Sequence, residues 1–501
     1  MRIAALDVGS NSLHLVVVEV DAVGNQRVLA REKAMVRLAR GAGTHGDLTP
    51  EAFREGLEAL ALMAEVVRGF ACDTVMACGT AALRDARNAP AFLAEAARLG
   101  LPIRVISGEE EARLIHLAVS HALPFPEGPV TLMDIGGGST ELTWVADGRV
   151  LASISIPLGL QRLAEASPTA DPPTPGDLKA LRRFIRKALK RARKGLPPDL
   201  PKPGLVLATS GTLEDLGRGA AGGSRFGTRQ LRAFRKKLWA TDAAGRLRLG
   251  VQPKRAEVLH VGAAWAEALL DWLGATEVQH LPVGLREGMI WEALAHGGAG
   301  LPSVRERRSA SVEAFAARLD PDPGHSRHVA HLADRLLLGL QPWLELGERE
   351  REWLQHASRL HDLGFSVAEK DHHKHGAYLI RAAGLPGFWP EEVEILAQVV
   401  RHHRGKPPRE EKHEAFRNLP PWHRETVRKL AALLRAADAL DRRRRQAISD
   451  LLVEEGDDGV LILRIQGQVG LEPELEALDR KGALLVELLD RPMRVRLESR
   501  P

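Results

Sequence analysis

The feature that most constrains the fold is a repeated hairpin. Residues 1–20 read as the apolar run IAALDV, the tight loop GSNS and a second apolar run, LHLVVVEV. The pattern returns at 130–145 as VTLMDI, GGGS and TELTWV. Placing Asp7 on Asp134 also matches Val8 with Ile135, Gly9 with Gly136, Ser12 with Ser139 and Leu15 with Leu142, at a constant offset of 127 residues. That offset is about one domain length. Two apolar strands around an Asp-Gly loop, twice over, predict an internal duplication into two α/β lobes that open alike.

Between the copies the sequence predicts a helix near 50–69, a strand DTVMACGT, a helix AALRDARNAPAFLAEAARL, a strand LPIRVIS and a helix after Ser107. Such alternation implies a mixed or parallel sheet. The second copy continues through a basic helix near 178–194, a strand LVLATS and a helix after Gly211, and ends at the GGAGLP linker near 298–300. We therefore expect lobe I over 1–125 and lobe II over 126–301. From about 303 the texture changes to long amphipathic helices with many histidines and no strand pattern until 459, which predicts an all-α domain over 302–445. The strand-like GVLILRIQG, a helical 471–490 and the strand RVRLE predict a small α+β tail over 446–501.

With 501 residues the chain has room for about three such domains. Hydrophobic residues at 44% and charged residues at 27% exclude disorder as the main state. No apolar run reaches the roughly 18 residues of a membrane span. The N-terminus MRIAALDVGS reads as a strand entering a loop, not a signal peptide. Cys72 and Cys78 cannot build a disulfide framework, so a reduced, cytoplasmic setting is expected. A net charge of +5 names no partner by itself.

The first candidate site residues are Asp7, Gly9, Ser10, Asn11 and Ser12, with their counterparts Asp134, Gly136, Gly137, Gly138 and Ser139. Glycines let backbone N–H groups approach phosphate oxygens, and hydroxyls add donors. A carboxylate at a strand end can hold Mg²⁺ through waters. One such loop alone reads better as an ordinary hairpin turn; two facing each other would grip a polyphosphorylated group from both sides. Thr209, Ser210, Gly211 and Thr212 follow a strand and open a helix, which suits an anion, or plain N-capping by Ser210 or Thr212. In SGEEEARL, Glu109 is spaced to pair with Arg113, whereas Glu111 shares a helical face with Leu114, Ile115 and Ala118. A carboxylate on that face is costly unless it serves a site, and burial would suit it as a general base. Arg84 reads either as a substrate contact at a helix start or as a surface pair with Asp85.

In this order DVGSNS, GTAALRDARN, ISGEEEARL, DIGGGSTEL, TSGT and GLREGM resemble the exopolyphosphatase/guanosine pentaphosphate phosphohydrolase (Ppx/GppA) family over about 1–295. The resemblance implies two ribonuclease-H-like lobes of the actin, sugar-kinase and Hsp70 type, with the site between them. It implies release of orthophosphate from the end of inorganic polyphosphate, or conversion of guanosine pentaphosphate (pppGpp) to tetraphosphate. It implies Glu111 as catalytic base, Glu141 as a second essential carboxylate, and Arg84 as a phosphate clamp. Asp134 with the Gly136–Ser139 loop takes the phosphate and Mg²⁺ (or Mn²⁺) position. The family also suggests a homodimer. An actin-like ATPase is the alternative of another class, against which the SGEEEAR helix argues by supplying a positioned base. A nucleic-acid-binding protein fits the pI of about 9.3, but the basic stretches lack interleaved aromatics for base stacking.

Two stretches are strongly basic: Arg182, Arg183, Arg186, Lys187, Lys190, Arg191, Arg193 and Lys194, and then Arg225, Arg229, Arg232, Arg235, Lys236 and Lys237. Either is a solvated face or the lining of a polyanion channel. In the helical region His325, His361, Asp362 and Asp438 run in the order His…His-Asp…Asp across three helices. They resemble the HD-domain metal-dependent phosphohydrolases, which implies a divalent transition metal held in a bundle core. His372, His375, His402 and His403 stand where a second metal would be held, or are plain surface.

Overall fold

Each copy of the hairpin seeds its own sheet. In the computed structural model, which describes residues 1–21, 26–40, 46–296, 302–456 and 459–499, the first sheet contains β1 (Arg2–Val8), β2 (Leu13–Val20), β3 (Gln26–Ala34), β4 (Thr74–Gly79) and β5 (Arg104–Val105). Their order is β3-β2-β1-β4-β5, with β1, β2 and β3 antiparallel and β1, β4 and β5 parallel. The second sheet contains β6 (Pro129–Ile135), β7 (Thr140–Ala146), β8 (Arg149–Ile156), β9 (Leu205–Ala208), β10 (Arg225–Gly227) and β11 (Glu277–His280). Its order, β10-β11-β9-β6-β7-β8, repeats the plan: an antiparallel meander on one side of the founding strand and the parallel strands β9 and β11 on the other, where β10 adds an antiparallel edge. The registers coincide too. Asp7 lies opposite His14 and Asp134 opposite Glu141, so the second copy has a carboxylate where the first has an imidazole.

Alternation along β1 sends Ala4, Leu6 and Val8 to one face, against Leu60, Met63 and Phe92. Ile3 and Ala5 go to the other face, where Leu114, Leu285, Met289 and Ile290 cover them. The helix Leu285–His296 therefore caps the first sheet although it follows the second in sequence. The expected division into 1–125 and 126–301 breaks there, because local patterning cannot say against which sheet an apolar helix is buried. Gly288 lets this helix lie against the Leu114 carbonyl of the helix Gly108–Ala122; a Cβ there would collide with it.

Smaller differences have local causes. The long helix expected after Thr80 is two, Ala81–Asp85 and Ala89–Arg98. They are parted where Asn88 turns to pair with the Leu48 backbone, at 2.8 and 2.9 Å, just before Pro90. Of LPIRVIS, only Arg104–Val105 pairs as strand. All of GGAGLP but Pro302 lies outside the described residues.

The chain divides into two compact units, Met1–Ser303 and Val304–Pro501. The second is a bundle of helices with the sheet β12 (Ile448–Glu455), β13 (Leu461–Gly467) and β14 (Met493–Ser499), in that order. Strand structure thus starts at Ile448, earlier than expected, and the helical 471–490 is broken at Gly482. The tail is no appendage: Ile448, Leu451, Leu461 and Leu463 share one core with Leu336, Leu430 and Leu433 of the bundle. Among the described residues, no helix is long and apolar enough to cross a membrane.

Candidate active site

The two Asp-Gly loops meet. A Cβ on Gly138 would stand 2.5 Å from Ser10 Oγ, and one on Gly137 would stand 3.3 Å from Asn11 Cβ, so glycine is what permits the approach. Both copies close the same turn, Gly9 N–H to Ser12 O at 3.2 Å and Gly136 N–H to Ser139 O at 3.0 Å. Neighbouring backbone ties the loop carbonyls back. Ala39 N–H donates to Ser10 O at 2.9 Å and Arg37 N–H to Asn11 O at 2.9 Å. At the start of the helix Leu160–Ala166, Leu160 N–H donates to Gly136 O at 2.8 Å and Gln161 N–H to Gly137 O at 2.9 Å.

Four carboxylates surround the meeting point. Asp7 and Asp134 end the two founding strands, Glu141 stands across from Asp134 on β7, and Glu111 lies in the first turn of Gly108–Ala122, capped by Ser107. Asp134 Oδ2 accepts from Thr209 Oγ at 2.6 Å and Glu141 Oε1 from Ser155 Oγ at 2.8 Å. Gly108 is what lets the helix start pass over Ser155, since a Cβ there would collide with its side chain. The supports of Glu111 and Glu141 are therefore in contact. Asp7 Oδ1, Glu111 Oε2 and Glu141 Oε2 are buried with no hydrogen-bond partner. Arg84 Nη1 stands 3.5 Å from Glu111 Oε2 and donates to the Ile106 carbonyl at 2.8 Å. It is not the surface partner of Asp85, which pairs with Arg162.

Burial is the main force on these acids. It pushes Asp7 up to about 7 and, with the charge of Asp134, Glu141 up to about 8. Asp134 is raised by burial, and Glu111 well above the usual carboxylate range by burial and then by Glu141 and Asp7. Four buried carboxyl groups, with three orphaned oxygens among them, form a hard-oxygen site. That donor set fits Mg²⁺ or Mn²⁺.

The sequence reading missed the cations around the cleft. Lys33 on β3 is brought down to about 8, first by burial and then by Lys254, Arg255 and Arg286. The same four cations, after burial, bring His14 down to about 3, leaving a neutral ring 2.7 Å from Ser12 Oγ. Arg286 lay in the GLREGM motif, but no spacing connects Lys33 with Lys254 and Arg255, which come from opposite halves of the cleft.

Other expectations are corrected. Ser210 accepts from Leu213 N–H at 3.3 Å as a helix cap, and Thr212 donates to the Ile135 carbonyl at 3.2 Å. Thr209, beside them, donates to Asp134 Oδ2. Glu109 is exposed, while Arg113 pairs with Glu110 at 2.8 Å and with Glu292. Half of the second basic stretch is stitched to acids: Arg225 to Glu277, Arg232 to Asp271 and buried Arg235 to Glu267. The basic side chains of 182–194 are exposed and, among the described residues, form no ion pair.

In the C-terminal unit His325, His361, Asp362 and Asp438 converge. His361 Nε2 lies 3.4 Å from Asp362 Oδ1, and His325 Nε2 lies 3.5 Å from Asp438 Oδ1. His372 and His403 join them, with His372 Nε2 3.7 Å from Asp362 Oδ1. His375 and His402 stay outside; the His402 ring packs against His413.

A cleft of opposed carboxylates and paired glycine loops, set on two sheets of one plan, defines a phosphohydrolase of two-lobed α/β type. The chain belongs to the Ppx/GppA phosphatase family, which it matches over residues 16–296, with that family's domain III matched over 307–472. It is similar to the crystal structure of an exopolyphosphatase from Cytophaga hutchinsonii, at 25% identity and a TM-score of 0.54, covering 60% of this chain and 100% of that one. It is also similar to the crystal structure of the Aquifex aeolicus Ppx/GppA family member, at 26% identity and a TM-score of 0.51, covering 60% of this chain and 99% of that one.

Proposed function

We propose that the cleft is an exopolyphosphatase site that releases orthophosphate from the end of inorganic polyphosphate. The observation that carries this is the burial of Glu111 beside Arg84, facing the meeting point of the two loops. The N–H groups of the loops and Arg84 hold the terminal phosphate. Glu111 takes a proton from a water whose oxygen attacks the phosphorus, the bridging P–O bond breaks, and the shortened chain leaves with the electron pair. Glu141, held by Ser155, completes the acidic wall with Asp7 and Asp134. Asp7, Asp134 and Glu141 would hold Mg²⁺ or Mn²⁺, which neutralises phosphate charge. Lys33, Lys254, Arg255 and Arg286 meet the charge on the rest of the chain.

The repeated strand order supports taking the two sheets as ribonuclease-H-like lobes of the actin-like superfamily, and the converging His325, His361, Asp362 and Asp438 support an HD-like C-terminal unit. A cytoplasmic homodimer completes the proposal; size-exclusion chromatography with light scattering tests the dimer.

The decisive experiment measures phosphate release from long polyphosphate, pppGpp and ATP in parallel with Mg²⁺. Polyphosphate is expected to show the highest kcat/KM, and Glu111→Gln to lower kcat at least about 10²-fold with little change in KM. A preference for pppGpp would select the guanosine pentaphosphate phosphohydrolase. Near wild-type kcat in Glu111→Gln would remove Glu111 from the base role.

A further inference from the structure

The two Asp-Gly loops end alike, yet the side chain that holds the final serine differs between them. Ser12 and Ser139 close the same turn, each in its own copy. Two positions on, along the same face of the strand, stand His14 and Glu141. Ser12 Oγ lies 2.7 Å from His14 Nε2, and the Ser139 hydroxyl is hydrogen-bonded to the Glu141 carboxyl. The third strand of each meander extends the row: Lys33 lies opposite His14 on β3, and Ser155 lies opposite Glu141 on β8. Residues directly opposite on neighbouring strands share a face. The first sheet therefore presents the row Asp7, His14 and Lys33, and the second the row Asp134, Glu141 and Ser155. One duplicated frame carries two rows of different chemistry.

Those rows give two identical hydroxyls opposite polarity. A carboxylate can only accept, so Ser139 directs its O–H at Glu141 and is left with lone pairs. An imidazole can donate or accept, and its surroundings decide which. Burial, and then Lys33, Arg286, Lys254 and Arg255, keep the His14 ring neutral, with one N–H and one lone pair. A neutral ring among cations is most stable with its lone pair, not its N–H, turned toward them. Nε2 is engaged by Ser12, so the lone pair falls on Nδ1 and the proton on Nε2. Nε2–H then donates to Ser12 Oγ, and the Ser12 O–H is left for another acceptor. Among the described residues that hydroxyl has no further hydrogen-bond partner. A polyanion in the cleft favours the same arrangement, because the reverse would set a hydroxyl lone pair against a phosphate oxygen.

We propose that His14 is a positioning residue that turns Ser12 outward as a hydrogen-bond donor to the substrate's phosphate oxygens, while Glu141 leaves Ser139 an acceptor. The loops thus serve opposite partners: Ser12 faces the anion, and Ser139 can receive a proton only from a donor such as water. The proposal rests on reading the cleft as a polyphosphate site, and it assigns to His14 a part that acts through Ser12 alone.

The test is a double-mutant cycle on the full chain. Binding of tripolyphosphate is measured by calorimetry in the Glu111→Gln background, where hydrolysis is suppressed, and kcat and KM are measured with Glu111 present. Ser12→Ala and His14→Leu are each expected to weaken binding about tenfold, as KM and not kcat. The pair Ser12→Ala/His14→Leu is expected to lose no more than either change alone, because His14 has nothing left to orient. His14→Gln, whose amide can donate from the same place, is expected to stay within about threefold of wild type. A second measurement needs no substitution that could unfold the chain: ¹⁵N spectra of histidine-labelled protein, with His14 assigned by the signal missing in His14→Gln, should show a neutral ring protonated at Nε2. Additive losses in the double variant, His14→Gln as weak as His14→Leu, unchanged binding in His14→Leu, or a ring protonated at Nδ1 would each overturn the proposal and leave the polyphosphate reading standing. Absence of tripolyphosphate binding with Ser12 and His14 both intact would overturn that reading and this proposal with it.

Discussion

Gly159→Ala probes how tightly the phosphate loop must be held. Gly159 precedes the helix Leu160–Ala166, whose first N–H groups are bonded to the Gly136 and Gly137 carbonyls. A Cβ at 159 would lie 2.5 Å from the carbonyl carbon of Gly137 and 2.6 Å from the oxygens of Gly136 and Gly137, where ordinary contacts begin at 3.4 Å. The overlap of about 0.9 Å falls on backbone, which cannot rotate aside as a side chain would. Either the loop or the helix start must move by about that amount. Overpacking of this kind costs about 1–3 kcal/mol, and a misplacement near 1 Å costs about 10²-fold in rate. Gly159→Ala is therefore expected to stay folded, melt at lower temperature and release phosphate from polyphosphate about 10²-fold more slowly. Gly176→Ala is the control, since its Cβ would meet only Thr174 Oγ at an ordinary 3.5 Å. A Gly159→Ala enzyme with kcat within about threefold of wild type, at unchanged polyphosphate binding, would refute the idea that this loop position limits catalysis.

Other perturbations address charge and stability. Lys33 loses its proton as pH rises through about 8, so its attraction for polyphosphate is present below that value and fades above it. The pH profile of kcat/KM, which reports the free enzyme, should fall on the alkaline side, and Lys33→Arg should move that fall to higher pH. An unchanged profile would remove Lys33 from substrate binding. Replacing Arg186, Lys190 and Arg193 with Gln should weaken long polyphosphate more than tripolyphosphate and flatten its salt dependence. Equal losses would leave the helix a solvated face. Arg308 is buried between Glu352, at 3.0 Å, and Glu392. Arg308→Leu leaves both carboxylates without this cation, Glu392 keeping only the N–H groups of Trp353 and Trp389, and should cost about 3 kcal/mol, seen as a lower calorimetric melting temperature for the C-terminal unit.

The duplicated hairpin was legible because period-two alternation and an Asp-Gly loop are local signals, written in consecutive residues. From them followed two lobes that open alike with the loops at their strand ends; helical spacing in SGEEEARL separately put Glu111 on the apolar face of its helix. Chemistry-bearing motifs of the helical region were visible for the same reason, as histidines and aspartates spaced along successive helices. What the linear chain did not carry were meetings between distant residues. The pairing of Thr209 with Asp134, the placement of Lys33 beside Lys254 and Arg255, and the capping of the first sheet by Leu285–His296 depend on which surfaces pack together. The two basic stretches show the division most plainly. In sequence they are alike, yet Arg225, Arg232 and Arg235 of one are paired with Glu277, Asp271 and Glu267 while the other forms no ion pair among the described residues, because charge compensation is decided by neighbours in space and not along the chain.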